Sequence, residues 1–321
     1  VNVHDYPLFE YQPYELALSS KMVDTVLTEG IELLHVHYAI PHAYAAYMAK
    51  KILLEKGKYL PVVTTLHGTD ITLVGKHPSY KPAVTFSINK SDVVTSVSES
   101  LKKDTLSSFV IKSEIDVIPN FIDIDLYNIS DQCNRSQIAP NNEKVVIHIS
   151  NMRPVKRIPD VIEIFHRIAQ EEDAILLMLG DGPERERAEQ QVRDLGIAEK
   201  VRFLGKTTEV RRLLCMSGLF LLTSEKESFG LVALEAMAAK VPVVSTNSGG
   251  IPEVNIHGVT GYLASPGAVE EMAAHGLSLL QDEEKLAQFK QQAFEHAKKF
   301  SIEKVVPMYE EAYEKALAAV R

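Results

Sequence analysis

Short apolar runs alternate with longer amphipathic stretches along the first part of the chain. The short runs are typical of buried strands, and the stretches between them carry apolar residues at helical spacing. The predicted strands are 33–37, 61–66, 92–97 and 115–118. The predicted helices are 13–29, 41–56 and 98–107, the last with Ser98 as its cap. Strands that alternate with helices predict a parallel sheet covered by helices on both faces.

A second alternation of the same kind follows a polar stretch. Residues 128–144 contain Ser, Asn, Asp and Pro without periodicity, so we interpret them as a linker between two domains. The strands predicted after it are 145–150, 174–179, 201–204, 219–223 and 242–245. The helices lie near 160–170, 184–195, 207–216 and 229–239, and 268–321 is mostly helical. The pattern predicts two Rossmann-like α/β domains that bind ligands at the carboxyl edges of their strands, across a cleft.

The first residues do not fit the start of such a domain. A doubly wound domain normally begins with a strand and a Gly-rich turn. This chain begins at Val1 and has no Gly before Gly30. We therefore expect that an N-terminal strand and its Gly-rich loop are missing from this sequence, and that the chain as written is poorly active.

Composition places the chain among ordinary globular proteins. Of its 321 residues, 45% are hydrophobic and 24% are charged, and the net charge is −9. Because nucleic-acid-binding domains are usually basic, we expect no nucleic-acid partner. No apolar run is long enough to span a membrane, and we expect a cytoplasmic protein. Cys133 and Cys215 match no metal or redox spacing, so we interpret both as free thiols.

The stretch from Leu219 to Ala238 carries the clearest chemical signal. It reads as a buried strand, a polar turn with one Gly, and a helix whose first N–H groups would suit a phosphate. Glu227 lies in the turn and Glu235 in the helix, and carboxylates accept hydrogen bonds from sugar hydroxyls. The alternative is a surface helix with solvated Glu side chains. The functional interpretation is an anion site flanked by two carboxylates, which is what a nucleotide sugar needs.

The spacing Glu-x7-Glu, with Phe-Gly after the first Glu, resembles the retaining glycosyltransferases of the GT-B fold, family four. This resemblance covers nearly the whole chain. It implies an acceptor-side domain at 1–138, a nucleotide-sugar-binding domain at 139–301, and a helix at 302–321 that crosses back to the first domain. It also implies that Glu235 holds the ribose hydroxyls and Glu227 the hydroxyls of the donor sugar.

Three further loops agree with this resemblance. The loop 150–157 follows the first strand of the second half and holds three cations, so it is either a solvated basic loop or a diphosphate site. It resembles the diphosphate-binding loop of the family, although Asn151 stands where many members have Arg. The turn 180–184, with Pro183 at the expected helix start, resembles a family turn near the nucleotide. The turn 248–253 has two Gly residues that let backbone approach a ligand or simply form a tight turn.

Polar residues also follow two strands of the first half. Residues 64–70 end one strand and residues 37–42 end the preceding one, so both lie at the same predicted edge. A lone His is more often structural, but position and family resemblance favour a site role for His67.

The resemblance thereby assigns three groups of candidate residues. The candidates for catalysis are His67, Arg153, Lys156 and Glu227. The candidates for donor binding are Asn151, Gly182, Glu227, Ser228, Phe229, Gly230, Leu231 and Glu235. The candidates for acceptor binding are His37, Tyr38, Thr64, Thr65, His67 and Gly68.

Asp123-Ile124-Asp125 is the one stretch that suggests a metal. Asp-x-Asp binds a metal–diphosphate in the other large glycosyltransferase fold, whereas the GT-B family has a structural Asp at this junction. No further carboxylate or His cluster accompanies it in the sequence. We expect no catalytic metal and no cofactor, with the UDP-sugar as a substrate.

A narrower resemblance concerns 37–42, 67–72 and 150–157, which are similar to the family members of bacillithiol biosynthesis. It implies UDP-N-acetylglucosamine as donor, L-malate as acceptor and retention at the anomeric carbon. In malate-using members we expect a basic residue where this chain has Thr85. Two alternatives stay open: another small acceptor, or a non-catalytic nucleotide-sugar-binding module. The oligomeric state also stays open, a homo-oligomer included.

Overall fold

The computed structural model describes residues 13–127, 129 and 133–318. The chain forms two compact units, one of Val1–Pro119 with Val305–Arg321 and one of Asn120–Lys304. Each unit contains a parallel sheet flanked by helices, which confirms the predicted α/β class. The start of the chain, to which the expected loss of a strand and Gly-rich loop refers, lies outside the described residues. Every helix in the described part is too short or too polar to cross a membrane.

The first unit has a four-stranded parallel sheet in the order β1-β2-β3-β4. Its strands are β1 Leu34–His37, β2 Val62–Leu66, β3 Val93–Ser96 and β4 Ile115–Val117. Its helices up to β4 are α1 Tyr14–Glu29, α2 Tyr44–Glu55, α3 Lys81–Lys90 and α4 Glu99–Ser108. The side chain of Ser98 caps α4, as predicted, by accepting a hydrogen bond from the Leu101 N–H. Helix α3 was not predicted.

The second unit has a six-stranded parallel sheet in the order β10-β9-β8-β5-β6-β7. Its strands are β5 Lys144–Ile149, β6 Ala174–Leu179, β7 Val201–Gly205, β8 Leu219–Leu222, β9 Val243–Thr246 and β10 Gly261–Ala264. Its helices are α5 Ile158–Glu171, α6 Arg185–Asp194, α7 Val210–Cys215, α8 Leu231–Ala238, α9 Ile251–Val254, α10 Val269–Leu280 and α11 Glu283–Ala297. Each predicted strand is present, and β10 is an addition. Pro183 lies in a turn before α6 rather than at its first residue.

The last helix, α12 Ile302–Ala318, belongs to the first unit from Val305 onward. Its buried residues recur at helical spacing, so they form one apolar face. This face packs on β2, β3 and the end of β4. The residues in this contact are Val63, Val93, Ile118, Val305, Tyr309, Ala312 and Ala316. Burial of this face anchors the C-terminal helix to the sheet of the first unit.

The segment before β5 lies with the second unit, whereas the family resemblance implied a first domain that extends to residue 138. Ile122 bridges to Ser301, and Cys133 is joined to Cys215 by a disulfide bond. The interpretation of two free thiols was therefore wrong. The two cysteines are 82 residues apart in sequence, and only the packing of this segment beside the end of α7 brings them together.

Candidate active site

The sheet order of the second unit locates its ligand crevice. Strand β5 lies between β8 and β6, so the connections after β5 and β8 leave neighbouring strands at the point where the strand order reverses. Open parallel sheets bind ligands outside the carboxyl ends of the strands at this kind of switch point. The two loops concerned are 150–157 and 223–230, which the sequence analysis had singled out.

An ion pair joins these two loops. The Lys156 ammonium lies 2.6 Å from Oε2 of Glu227, and both side chains are about four-fifths buried, with 18% and 19% exposed. The Ser224 hydroxyl donates a second hydrogen bond to the same carboxylate oxygen, at 3.2 Å. The Thr223 hydroxyl donates to the backbone carbonyl of Lys156 at 2.7 Å. The structure thus brings together the predicted cation of one loop and the predicted carboxylate of the other.

The remaining predicted groups of the first loop are exposed. Asn151 and Arg153 lie at the surface on either side of the fully buried Met152. Across the described residues, the Arg153 guanidinium makes no hydrogen bond or ion pair. An exposed cation beside a paired one is a ready site for a polyanion, because it gives up no internal partner on binding.

The Gly residues near this crevice have a structural role. A Cβ on Gly249 would lie 1.9 Å from the carbonyl oxygen of Glu227, and one on Gly182 would lie 1.9 Å from that of Asn151. The Gly250 N–H also donates to the Glu227 carbonyl at 2.9 Å. These contacts support the tight-turn interpretation: the Gly residues let neighbouring loops pack against the site. A direct ligand contact for Gly182 stays a prediction.

The turn into α8 contains the other donor-binding candidates. Gly230 has φ +95°, and no side chain caps the helix. The N–H groups of Ala233 and Leu234 bond to the Gly230 carbonyl, while within the described residues no such bond is made by the N–H groups of Leu231 and Val232. Two free N–H groups at a helix start suit a phosphate oxygen. This helix start has the geometry expected of the predicted anion site, whose function stays a prediction.

Two aromatic residues, Phe229 and Tyr127, lie close to α8. Phe229 is 3% exposed and packs against the ring of Phe300, so its side chain belongs to the core. Of Phe229, only the backbone remains available to a donor. Tyr127, which no sequence motif singled out, has a half-buried phenol close to Glu235. Burial, and then the Glu235 carboxylate, raises the pKa of this phenol.

Glu235 is a largely buried carboxylate in α8. Burial raises its pKa. Among the described residues its side chain accepts no hydrogen bond. Its oxygens are within reach of solvent, so they can accept hydrogen bonds from a ligand without giving up a protein partner. This arrangement suits a pair of ligand hydroxyls.

His148, which the sequence analysis did not single out, lies one residue before the end of β5. It is 0% exposed, and burial lowers its pKa to about 4. The nearby positive charge of Lys156 contributes to this lowering of the pKa, and the hydrogen bond to the Leu221 backbone opposes it. The imidazole is therefore neutral at neutral pH.

We expect this neutral His to make the protein sensitive to acid. In the unfolded chain its pKa is near 6.5, so its contribution to stability is complete above that pH and is lost as the pH falls towards 4. The difference between the unfolded pKa of 6.5 and the folded pKa of about 4 corresponds to a loss of roughly 3 kcal/mol in the free energy of unfolding. Urea titrations at pH 7 and pH 4.5 measure it. His148→Gln, which does not titrate, should lose less, and equal losses in both proteins would contradict the assignment.

A cluster of His residues lies at the carboxyl edge of the first unit. Nδ1 of His37 is 2.8 Å from Nε2 of His67, and His42 donates from Nδ1 to the His37 carbonyl at 2.7 Å. Burial, then the neighbouring His37, lowers the pKa of His67 to about 4. Both members of the pair are neutral at neutral pH, so His67 can accept or donate a hydrogen bond to a ligand hydroxyl.

Asp70, to which the sequence analysis gave no role, holds this edge together. Its buried carboxylate accepts hydrogen bonds from the N–H groups of Ala39, at 2.7 Å, and Gly68, at 3.0 Å. Burial raises the pKa of Asp70. Gly68 has φ +120°, a conformation that strongly favours Gly, and Tyr38 has φ +75°. Asp70 thus fixes the two strained turns that carry His37 and His67.

Thr64 and Thr65, two of the candidates for acceptor binding, are buried in β2. Both are 0% exposed, and their hydroxyls bond inside the unit, Thr64 to Ser91 and Thr65 to Thr95 and His35. Strand β2 is paired on both sides, so its side chains point into the packed layers above and below the sheet. Their proposed contact with an acceptor finds no support in this geometry.

A cavity of about 760 Å³ opens beside the His cluster of the first unit. Its described lining is mostly apolar and aromatic and includes Tyr38 and Tyr80, with the carboxylates of Glu15 and Asp70. No Lys or Arg stands among these described lining residues. Thr85 is also absent from the lining, and its hydroxyl donates to the Lys81 carbonyl within α3.

The Asp123-x-Asp125 stretch forms a turn. The Asp125 N–H donates to the Asp123 carboxylate at 3.1 Å at the start of a short 3₁₀ helix. The described parts of the chain contain no group of three His, Cys, Asp or Glu side chains arranged to hold a metal ion. The structural interpretation of this Asp pair is the one that the geometry supports.

Glycosyltransferase family models match residues in both units of the chain. Residues 131–296 match the family Glycosyl transferases group 1, and residues 1–126 match Glycosyltransferase Family 4. The chain is 47% identical, over 98% of its length and 82% of the relative, to N-acetyl-alpha-D-glucosaminyl L-malate synthase of Bacillus anthracis. Anabaena HepE, solved with UDP and glucose, superposes with a TM-score of 0.82 and 25% identity over 93% of this chain and 81% of HepE. Sucrose-phosphate synthase of Thermosynechococcus elongatus shares the fold, with a TM-score of 0.80 and 21% identity over 99% of this chain and 83% of that one.

Proposed function

The chain belongs to the GT-B glycosyltransferases of family four, and on that premise we propose that it transfers N-acetylglucosamine from UDP-N-acetylglucosamine to L-malate with retention. The observation that carries the proposal is the 2.6 Å contact between Lys156 and Glu227 at the switch point of the second unit. This contact brings together a cation suited to a phosphate, Lys156, and a carboxylate suited to sugar hydroxyls, Glu227. The identity to a malate-using relative supports the choice of substrates.

Stabilisation of the leaving diphosphate is the main task of the donor site. As the bond between the anomeric carbon and the phosphate oxygen breaks, negative charge grows on UDP. Lys156, Arg153 and the free N–H groups at the start of α8 would stabilise that charge. In the structure Lys156 is paired with Glu227, so donor binding would move the ammonium from the carboxylate towards the phosphate. Asn151 is exposed on the same loop and can add a neutral donor.

The two carboxylates would divide the donor between them. Glu235 has no protein hydrogen bond in the described chain and is available for the ribose hydroxyls. Glu227 is held by Lys156 and Ser224 and would accept from hydroxyls of the sugar. Retention without a carboxylate nucleophile is consistent with attack on the same face, with the leaving phosphate accepting the proton of the acceptor hydroxyl.

The first unit would supply the acceptor site. Neutral His67, held by His37, can bind a hydroxyl, and the adjacent cavity has room for a small acid. Because the described lining lacks a cation, we propose that malate is bound by neutral donors and therefore weakly. The proposal uses the chain's own cations and needs no metal or cofactor. We further propose a cytoplasmic location.

Turnover with a panel of donors and acceptors tests the proposal. Incubation with UDP-N-acetylglucosamine and L-malate should release UDP and give a product of the mass of N-acetylglucosaminyl malate, with α configuration by NMR. UDP binding without UDP release would instead indicate a non-catalytic module. UDP release with a neutral sugar alcohol, and none with malate, would support the transferase activity and contradict malate as the acceptor.

Cations introduced on α3 should show where malate binds. Ala83 lines the cavity, whereas Thr85 lies about 200° further round the helix. We expect Ala83→Arg to lower the KM for malate several-fold, because a guanidinium pairs with a carboxylate in two hydrogen bonds. Thr85→Arg is the matched control. A lower KM in Thr85→Arg alone would place the acceptor outside this cavity.

A further inference from the structure

His148 makes two hydrogen bonds that define its protonation. Its Nδ1 lies 2.9 Å from the carbonyl oxygen of Leu221 in the adjacent strand β8. A carbonyl oxygen only accepts, so Nδ1 carries the proton. In a neutral imidazole the other nitrogen, Nε2, must then be an acceptor.

The group that donates to Nε2 is the hydroxyl of Ser150, at 2.8 Å. With its hydrogen directed to His148, the Ser150 oxygen accepts the N–H of Met152 at 3.1 Å. The three bonds form one directed chain, from the β8 backbone through His148 and Ser150 to the loop backbone. Because the Leu221 carbonyl can only accept, the direction of each hydrogen bond that follows it is determined.

The end of this chain is a strained turn. Met152 has φ +40°, which is uncommon for a residue with a side chain, and its side chain is fully buried. Its carbonyl accepts the N–H of Glu184 at 2.9 Å. The turn exposes Asn151 and Arg153, one on each side. A strained turn persists only when its surroundings hold it.

We propose that His148 is a positioning residue for the diphosphate loop. By directing the Ser150 hydroxyl it leaves that oxygen free to hold the Met152 N–H, and so keeps Asn151 and Arg153 turned towards the ligand. His148 is itself fully buried, so its role is to hold the loop in position. The inference rests on the proposed function in one respect only, the assignment of residues 150–157 to the diphosphate.

Calorimetry with UDP tests this role in variants that remove different hydrogen bonds of the series from Leu221 to Met152. Ser150→Ala and His148→Asn should each weaken UDP binding about tenfold. Ser150→Ala removes the hydroxyl, and Asn at position 148 can still reach Leu221 but not Ser150. His148→Gln, whose amide oxygen can reach Ser150, should stay within about threefold of the wild type. The double variant His148→Asn/Ser150→Ala should be no weaker than either single variant.

Ser217→Ala is the matched control, since it removes a buried hydroxyl of the second unit that donates to the Leu213 carbonyl of α7. It should bind UDP as the wild type does. Wild-type affinity in Ser150→Ala, alongside lost affinity in Glu235→Ala, would overturn the role of His148 and keep the proposed function. No UDP binding by the wild type would instead overturn the proposed function.

A spectroscopic measurement on the unaltered protein keeps the inference testable if the variants fail to fold. ¹⁵N NMR at neutral pH should show His148 as the tautomer protonated at Nδ1. Ser150→Ala should keep that tautomer and shift the Nε2 resonance as its hydrogen bond is lost. A tautomer protonated at Nε2 in the wild type would overturn the inference.

Discussion

Lys156→Met is expected to slow sugar transfer by about a hundred- to a thousandfold, the usual effect of removing one group that stabilises a developing oxyanion. The ammonium is four-fifths buried, so its charge is poorly screened by solvent and acts strongly on a diphosphate beside it. Met keeps most of the side-chain volume. Steady-state kinetics with saturating donor should therefore show a fall in kcat.

Loss of Lys156 also leaves the Glu227 carboxylate without its ion-pair partner. Lys156→Met/Glu227→Gln separates the two effects, because it removes the unpaired charge as well. Lys200→Met serves as the control, since Lys200 pairs with Asp173 at the opposite end of the sheet from the two loops. A kcat for Lys156→Met within threefold of the wild type would show that this cation does not act on the leaving group.

The sequence predicted the strands well because they are continuous apolar runs. Strand β6 is buried along its whole length, and buried strands of parallel sheets carry this pattern. Helix α3 was missed since only Val84, Ser87 and Ile88 of its residues are buried, which is a weak periodic signal. Strand β10 has four residues and begins with a Gly, so it resembles a turn.

The candidate site could be predicted as far as its local motifs extend. The loops 150–157 and 223–230 were recognised because each follows a buried strand. Their pairing through residues 71 positions apart depends on the sheet order, which no local pattern contains. Asp70 and His148 were missed for a similar reason: each acts through groups on another segment, and their partners become visible only in the folded unit.

Buried polar residues explain the remaining differences. Thr64 and Thr65 looked like site residues because they are polar and end a strand. In the fold their hydroxyls bond to neighbouring side chains, and polar groups in a central strand are normally satisfied in this way. At the end of β2, His67 and Gly68 lie beyond the last paired residue, Leu66, and they stay candidates for the site.

The second large effect is expected for Glu235→Ala, which should weaken UDP binding by about 1.5–3 kcal/mol, or roughly ten- to a hundredfold, as the ribose loses a charged acceptor. Glu227→Ala should leave UDP affinity nearly unchanged and weaken the binding of intact UDP-N-acetylglucosamine, because UDP lacks the sugar hydroxyls that Glu227 would hold. Calorimetry of both variants with both ligands measures this division.

The environment of Glu235 adds a pH test to the same experiment. Because burial raises its pKa, the carboxylate becomes protonated at a higher pH than an exposed Glu would, and a protonated carboxyl accepts less strongly. UDP affinity should therefore fall as the pH drops towards that raised pKa in the wild type, and this component should be absent in Glu235→Gln. If Glu227→Ala and Glu235→Ala lose UDP affinity equally, the two carboxylates act together on one part of the donor, and the assignment of ribose to one and sugar to the other is wrong.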